Sequence, residues 1–168
     1  DILYTIAKDT KNINLNNIIL TNDKDLYQLI YENDTWWNYG DKKFSYNELV
    51  KKLNFDPHDL SDFLGLMGDS VDNIPGAPGL GEKTATALMS EYKNLDNIMN
   101  SLDSIPSRLG TKYKRFMKII EENKKIIYLS KKLATLDYIP DIKTNLDMIE
   151  RKLIKIEKID SLFKKTGM

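Results

Sequence analysis

The stretch that decides the fold is Asn73–Ala85, with the sequence NIPGAPGLGEKTA. Pro75 cannot continue a helix, and the glycines that follow allow backbone angles and close approaches that other residues resist. Leu80 is expected to anchor the turn in the core, and a new helix is expected to begin near Glu82. The stretch therefore predicts two helices joined by a tight hairpin turn at residues 74–81.

The same turn predicts a phosphate-binding site. The first backbone amides of a helix have no acceptor within the helix, and the helix dipole attracts anions to that end. We expect the amides from Gly81 to Thr84 to point outward. Lys83 opposes the dipole in the first helical turn, and a bound phosphate would reverse that unfavourable interaction. An ordinary helix–helix turn does not require this lysine together with three glycines and two prolines. The turn thus predicts binding to the sugar–phosphate backbone of a nucleic acid that does not depend on the base sequence.

Two pairs of aspartates precede the hairpin turn. Asp23 and Asp25 follow the apolar run Ile18–Thr21, which predicts a buried parallel strand, and functional groups gather at the carboxyl ends of such strands. Asp69 and Asp72 would share one face if their segment formed a helical turn. Taken alone, each pair is better explained by turn and capping chemistry. Together they favour a site for hard cations such as Mg²⁺ or Mn²⁺.

The composition restricts the chemistry further. The chain has 168 residues, 41% of them hydrophobic, with no net charge, no cysteine and one histidine, His58. Disulfides, thiolate zinc sites and cysteine nucleophiles are excluded, so a metal would need carboxylate and water ligands. Two cations about 4 Å apart could then activate water for phosphodiester hydrolysis. No apolar run approaches the roughly 20 residues that span a bilayer, which predicts a soluble domain without membrane contact.

Positive charge is concentrated in residues 108–132. This segment carries nine lysines and arginines against Glu121 and Glu122. Such a face attracts phosphates, although the solvated side of a lysine-rich helix explains it equally well. The sequence leaves both interpretations open.

The remaining pattern predicts an α/β unit followed by helices. A helix at residues 1–9, the strand at 18–21, a helix starting near Leu26 and a strand at 35–39 (TWWNY) together favour a parallel sheet. Ser45 and Glu48 form a plausible capping box, and Asp56 with Pro57 announces the next helix. Helices are also expected at 82–92, 95–101, 111–122, 124–133 and 158–165. The fold class is therefore α/β and mainly helical.

Four segments resemble one known family. They are DFLGLMGDSVDNIPGAPGLGEKTATALM (Asp62–Met89), TNDKDLYQLI (Thr21–Ile30), NKKIIYLSKKLATL (Asn123–Leu136) and Asp1-Ile2-Leu3. These segments span nearly the whole chain, and they resemble the 5′–3′ exonuclease domain of bacterial-type DNA polymerase I, a relative of flap endonucleases. The resemblance implies that residues 1–55 are the C-terminal part of a resolvase/PIN-like nuclease core with a partial parallel sheet. It implies that residues 56–168 are a helical DNA-binding region with a helix–three-turn–helix, or helix–hairpin–helix, at 62–92.

The resemblance also implies roles for particular residues. The implied metal ligands are Asp1, Asp23, Asp25, Asp69 and Asp72, of which the last four are the implied catalytic residues. The implied DNA-binding residues are Gly76, Gly79, Gly81, Lys83 and Thr84. The implied cofactors are two or more Mg²⁺ or Mn²⁺ ions, with K⁺ at the hairpin turn. Asn22 departs from the family's usual glycine, but asparagine tolerates the same left-handed backbone.

The implied activity is divalent-metal-dependent removal of 5′ nucleotides or flaps from nicked or branched DNA in replication and repair. Because the family's N-terminal strands and helical arch would precede Asp1, we expect a fragment of a larger domain or a processed product. Alone it would be inactive, and it would pair with the missing N-terminal part; a DNA polymerase domain is a further implied partner. A bacterial cytoplasm or a DNA-containing organelle such as a plastid fits this activity. The alternative hypothesis is a non-catalytic helix–hairpin–helix DNA-binding module.

Overall fold

The computed structural model describes residues 1–142, 145, 147, 150–151 and 155–166. Helix α1 (Ile2–Asn12) is followed by three short strands, β1 (Ile18–Leu20), β2 (Thr35–Trp37) and β3 (Lys43–Ser45). A 3-10 turn, Asp25–Leu29, lies between β1 and β2. The strand order is β1-β2-β3, with β1 parallel to β2 and β2 antiparallel to β3.

The sheet confirms one strand prediction and corrects another. The parallel pairing of the two predicted strands is confirmed, but the antiparallel third strand makes the sheet mixed. The predicted burial of β1 is wrong, since Ile18 is 65% exposed and Leu20 is 50% exposed. Ile18 and Leu20 point to the same face of the sheet, and that face is open to solvent at the edge strand β1, which pairs only with β2 among the described residues.

From residue 46 onward, the described chain is mainly helical. The helices are α2 (Tyr46–Leu53), α3 (Leu60–Met67), α4 (Glu82–Tyr92), α5 (Leu95–Asn100), α6 (Ile105–Leu109), α7 (Lys114–Glu122), α8 (Lys124–Ala134) and α9 (Ile156–Thr166). The helices predicted after residue 56 are confirmed within a few residues, whereas α6 was not predicted. Among the described residues, no helix combines the length and apolar character needed to cross a bilayer.

Local capping fixes the start and end of α2. The Glu48 carboxylate accepts a hydrogen bond from the Ser45 amide at 2.7 Å, and the Glu48 amide donates to Ser45 Oγ at 3.4 Å. This reciprocal pair confirms the predicted capping box. The helix ends at Asn54, whose φ of 63° is the left-handed conformation that terminates helices.

Helix α3 lies at the centre of the helical region, packed closely against α8. At Gly65 an added Cβ would lie 3.0 Å from Lys131 Cβ, so glycine permits this close approach. Beside it, Lys131 Nζ pairs with the Asp62 carboxylate at 2.5 Å, and the Leu95 amide donates to that carboxylate at 2.8 Å. Because Asp62 is 3% exposed, its charge needs both partners. This contact joins α3, α5 and α8 into the support on which the hairpin turn rests.

Candidate functional site

The first acidic pair lies in the turn that follows β1. The Asp23 amide donates to Thr21 Oγ1 at 3.0 Å, and the Asp25 amide donates to Asp23 Oδ1 at 2.9 Å. The Trp36 indole donates to the Asp23 carbonyl oxygen at 3.0 Å, which fixes the turn against β2. Asp23 therefore shapes the turn through both its backbone and its carboxylate.

The second acidic pair lies in a tight turn and not in the helical turn considered from the sequence. Helix α3 ends at Gly68, whose φ is 79°. The backbones of Asp69 and Ile74 then form a bridge, with N–O distances of 2.8 and 2.7 Å, and the Val71 amide donates to Asp69 Oδ1 at 2.7 Å. The two aspartates are brought near each other by this bridge and not by helical periodicity. Asp72 lies at the exposed tip of the turn.

The two acidic pairs converge on Asp25. Burial, and after it the negative charges of Asp23, Asp72 and Asp69, together raise the pKa of Asp25 to about 6. Asp72 also shares a side-chain hydrogen bond with Asp25. We call these four residues the acidic cluster. Carboxylates repel one another in this way unless a proton or a cation lies between them, and oxygen donors of this type are the ligands of Mg²⁺ and Mn²⁺.

The acidic cluster fits a divalent cation in its charge and in the type of its donor atoms. Across the described residues, no three acidic or histidine side chains already surround a common point as in a completed metal centre. Water or further carboxylates would therefore have to complete the coordination. Asp1 and Asp23 line a shared cavity of about 540 Å³, and Asp1 Oδ1 accepts a hydrogen bond from the Asp137 amide at 2.9 Å. Asp1 thus borders the acidic cluster on the side of α1.

Gly76, at the start of the hairpin turn, is required by packing. Its φ is 60°, and an added Cβ would lie 2.2 Å from the Gly68 amide nitrogen. The residue is buried, and its own amide donates to Ser130 Oγ at 3.0 Å. The Gly76 amide thus has a partner inside the protein, and the expected contact of Gly76 with DNA stays a prediction. Ser130 was not singled out from the sequence, although its spacing from Ile127 and Ala134 places it on the buried side of α8.

The other two glycines of the hairpin turn are open to solvent. An added Cβ at Gly79 or at Gly81 would meet no atom within 4 Å. Gly79 has a φ of 78°, so its backbone conformation favours glycine, whereas Gly81 has an ordinary φ of −86°. Leu80 between them is 2% exposed, which confirms its predicted role as the anchor. The turn therefore presents bare backbone to solvent while its apex residue is held in the core.

The N-terminus of α4 leaves amides without an acceptor. The Thr84 amide donates to the Gly81 carbonyl oxygen at 3.0 Å, so the expectation that this amide points outward is wrong. Within the described part of the chain, the amides of Gly81, Glu82 and Lys83 have no hydrogen-bond acceptor, and all three residues are exposed. Lys83 has no carboxylate within ion-pair distance there either. This end of α4 has the features of an anion site.

The basic segment 108–132 is partly neutralised by ion pairs. The pairs are Arg108 with Glu91 at 2.9 Å, Lys118 with Glu122 at 3.5 Å and Lys131 with Asp62 at 2.5 Å. Six of its nine cations have no ion pair among the described residues, so its attraction for phosphates is weaker than its composition indicates.

Comparison with known proteins identifies the family of the chain. The chain belongs to the family described as 5′-3′ exonuclease, C-terminal SAM fold, whose family model matches residues 55–157. It is 36% identical, over 92% of its length, to a 5′-3′ exonuclease of Buchnera aphidicola subsp. Baizongia pistaciae, and 34% identical, over 94%, to the flap endonuclease Xni of Shewanella halifaxensis. It is 33% identical, over 99% of its length, to DNA polymerase I of Bacillus subtilis. The chain spans 51%, 58% and 19% of these three relatives, respectively.

Solved structures share the fold at low sequence identity. T5 5′-exonuclease with bound divalent zinc ions has a TM-score of 0.63 at 18% identity, with 78% of this chain and 48% of that chain covered. The catalytic core of Rad2 in complex with a DNA substrate has a TM-score of 0.57 at 14% identity, with 96% and 56% covered. These likenesses establish that the fold is that of the 5′ nucleases.

Proposed function

We propose that this chain is the DNA-gripping and metal-ligating part of a 5′–3′ exonuclease or flap endonuclease that hydrolyses phosphodiester bonds at the 5′ ends of nicked or branched DNA. The observation that carries the proposal is the convergence of both acidic pairs on Asp25, which lines one cavity with Glu82 at the start of α4, where backbone amides are free. The names of the relatives, a 5′-3′ exonuclease and a flap endonuclease, support the same activity. The fold neighbours with divalent zinc and with DNA support the two kinds of ligand.

Each group would contribute in a distinct way. Two Mg²⁺ or Mn²⁺ ions, when bound, would supply an activated water and stabilise the leaving oxygen. The acidic cluster would hold them, with Asp1 at its border. The amides at Gly81 and Lys83, together with the exposed backbone of Gly79, would bind phosphates of the duplex and set its position. We include K⁺ at the hairpin turn in this proposal.

We propose that residues 1–55 complete the nuclease core and that residues 56–168 hold the DNA. The apolar side chains of Ile18 and Leu20 on the edge strand, and of Ile2 and Leu3 on α1, are exposed. Such a face fits the part of the domain that the relatives have and this chain does not match. We also propose that the whole protein contains a polymerase domain, as DNA polymerase I does. A bacterial cytoplasm or a DNA-containing organelle is the proposed location.

Reconstitution tests this function. The chain would be combined, as one polypeptide or as two, with the N-terminal part of the Buchnera exonuclease, and release of a labelled 5′ flap would be followed. We expect cleavage that requires both parts and Mg²⁺, because neither part alone completes the metal site. A stable complex that binds flap DNA but does not cleave it with Mg²⁺ or Mn²⁺ would contradict the proposed activity.

The second candidate function is a non-catalytic helix–hairpin–helix DNA-binding module. The hairpin turn favours it independently, since its free amides and Lys83 need no metal to bind phosphates. This candidate predicts duplex binding that is insensitive to Mg²⁺, and no cleavage in the reconstituted protein.

Lys83→Ala tests the hairpin turn under both candidates. We expect binding to duplex DNA to weaken evenly across sequences, and the slope of log K against log salt to fall by about one, because one phosphate contact is lost. Fluorescence anisotropy over a range of salt concentrations measures both quantities. Lys42→Ala, which removes an exposed lysine from the loop before β3, is the control. A loss of affinity confined to particular DNA sequences would contradict binding through the phosphate backbone.

A further inference from the structure

One groove runs from the acidic cluster to the start of α4, which directly follows the hairpin turn. Its first part, a cavity of about 360 Å³, is lined by Asp25 and Asp69. Its second part, a cavity of about 470 Å³, is lined by Lys83 and Thr86. The residues that line both parts are Lys52, Leu53, Phe63 and Glu82. Because the two cavities share these walls, a strand could pass from one to the other without leaving the protein surface.

Lys52 lies midway along the groove and is held in place. It belongs to the last turn of α2, and its Nζ lies 5.4 Å from the centroid of the Phe44 ring. Among the described residues, neither Lys52 nor Lys24, which lines the first part of the groove, has a carboxylate within ion-pair distance. Other lysines do have such partners, as Lys11 has in Asp34 and Lys131 has in Asp62. The groove thus keeps two free positive charges beside the acidic cluster.

The helix dipole alone does not explain the position of Lys52. A cation near the C-terminus of a helix is favourable, and Lys51 in the same turn of α2 satisfies that preference equally well. Both lysines are exposed, but only Lys52 lines the groove. Lys51 and Lys52 therefore have the same favourable interaction with the helix dipole, but only Lys52 faces the groove. Lys51 is thus a matched control.

We propose that Lys52, assisted by Lys24, binds the phosphodiester backbone of the DNA strand that passes from the hairpin turn to the acidic cluster. This inference rests on the proposed function and deepens it, since it adds DNA contacts between the hairpin turn and the acidic cluster. A lysine ammonium acts as a point charge and binds phosphate regardless of base. Lys83 lies at one end of the groove, Lys24 at the other and Lys52 between them. Phosphate contacts at all three lysines would fix the position of the strand relative to the acidic cluster.

The test compares Lys52→Ala with Lys51→Ala in the complete chain. Binding to fluorescein-labelled nicked duplex DNA is measured by anisotropy over a range of salt concentrations, with EDTA present to prevent cleavage. We expect Lys52→Ala to weaken binding roughly three- to ten-fold and to lower the salt slope by about 0.9, the value for one lost phosphate contact. Lys51→Ala should change neither quantity, and Lys52→Arg should restore both. Equal behaviour of the two alanine variants would overturn the proposal.

Glu82→Gln provides a test of opposite sign. Glu82 lines both parts of the groove, so its negative charge repels a phosphate that passes there. We expect this variant to bind the same DNA more tightly than the wild type, and an unchanged or weaker affinity would overturn the proposed path. If Lys83→Ala weakens binding while Lys52→Ala does not, only the path fails. If the chain does not bind duplex DNA at all, the proposed function fails with it.

Discussion

Replacing Gly76 by alanine is expected to lower the free energy of unfolding by at least about 3 kcal/mol and to abolish DNA binding. The added Cβ would lie 2.2 Å from the Gly68 amide nitrogen and 2.5 Å from the Met67 carbonyl carbon, and both are backbone atoms. Either the hairpin turn or the end of α3 would have to move. The hydrogen bond from the Gly76 amide to Ser130 would then be strained or lost. Thermal or urea denaturation measures the first effect, and anisotropy with duplex DNA measures the second.

Gly81→Ala is the matched control in the same turn. Its Cβ would meet no atom within 4 Å, and its φ of −86° suits any residue. Because Gly81 is the N-cap of α4, where alanine is less favourable than glycine, we expect the free energy of unfolding to fall by no more than about 1 kcal/mol. DNA binding should nevertheless weaken, because the methyl group would occupy the surface that the phosphate approaches. If Gly81→Ala bound DNA as tightly as the wild type, the free amides of α4 would not be the contact surface.

The contrast between these glycines shows what sequence could and could not predict. The turn and the limits of α4 follow from local chemistry, because glycine and proline act on the backbone next to them. Gly76 and Gly81 have the same side chain and neighbouring positions, so the sequence assigned DNA binding to both. Only the crossing of Gly76 over the end of α3 separates a packing glycine from an exposed one. That crossing is a tertiary contact.

The same limit applies to the sheet and to the acidic cluster. The strand Lys43–Ser45 exists because it pairs with β2, and three residues alone carry too weak a pattern to predict it. The exposure of Ile18 depends on which parts of the protein cover β1. The apolar character of its side chain gives no information about that. The two acidic pairs were each ambiguous between metal binding and turn chemistry. Both interpretations apply in part, because Asp69 closes its own turn and also adds to the charge around Asp25.

Asp69→Asn and Asp72→Asn are expected to reduce Mg²⁺-dependent flap cleavage by about 100-fold or more in the reconstituted nuclease. Asparagine keeps a side-chain oxygen, so the hydrogen bond from the Val71 amide to residue 69 can persist and the turn should be preserved. What the substitutions remove is negative charge next to Asp25. A steady-state cleavage assay over a range of Mg²⁺ concentrations measures the loss.

Stability distinguishes the catalytic hypothesis from the structural one. Because the acidic cluster concentrates like charges around a partly buried carboxyl, removing one charge should leave the metal-free protein as stable as before or up to about 1 kcal/mol more stable. If these aspartates served only as turn and capping groups, asparagine could keep the turn, and cleavage would fall no further than any loss of stability explains. Asp103→Asn, an exposed carboxylate remote in sequence from the acidic cluster, should affect neither quantity. Loss of cleavage with unchanged or increased stability would therefore indicate that these carboxylates bind a cation. Their mutual repulsion destabilises the metal-free protein, and a bound cation offsets it.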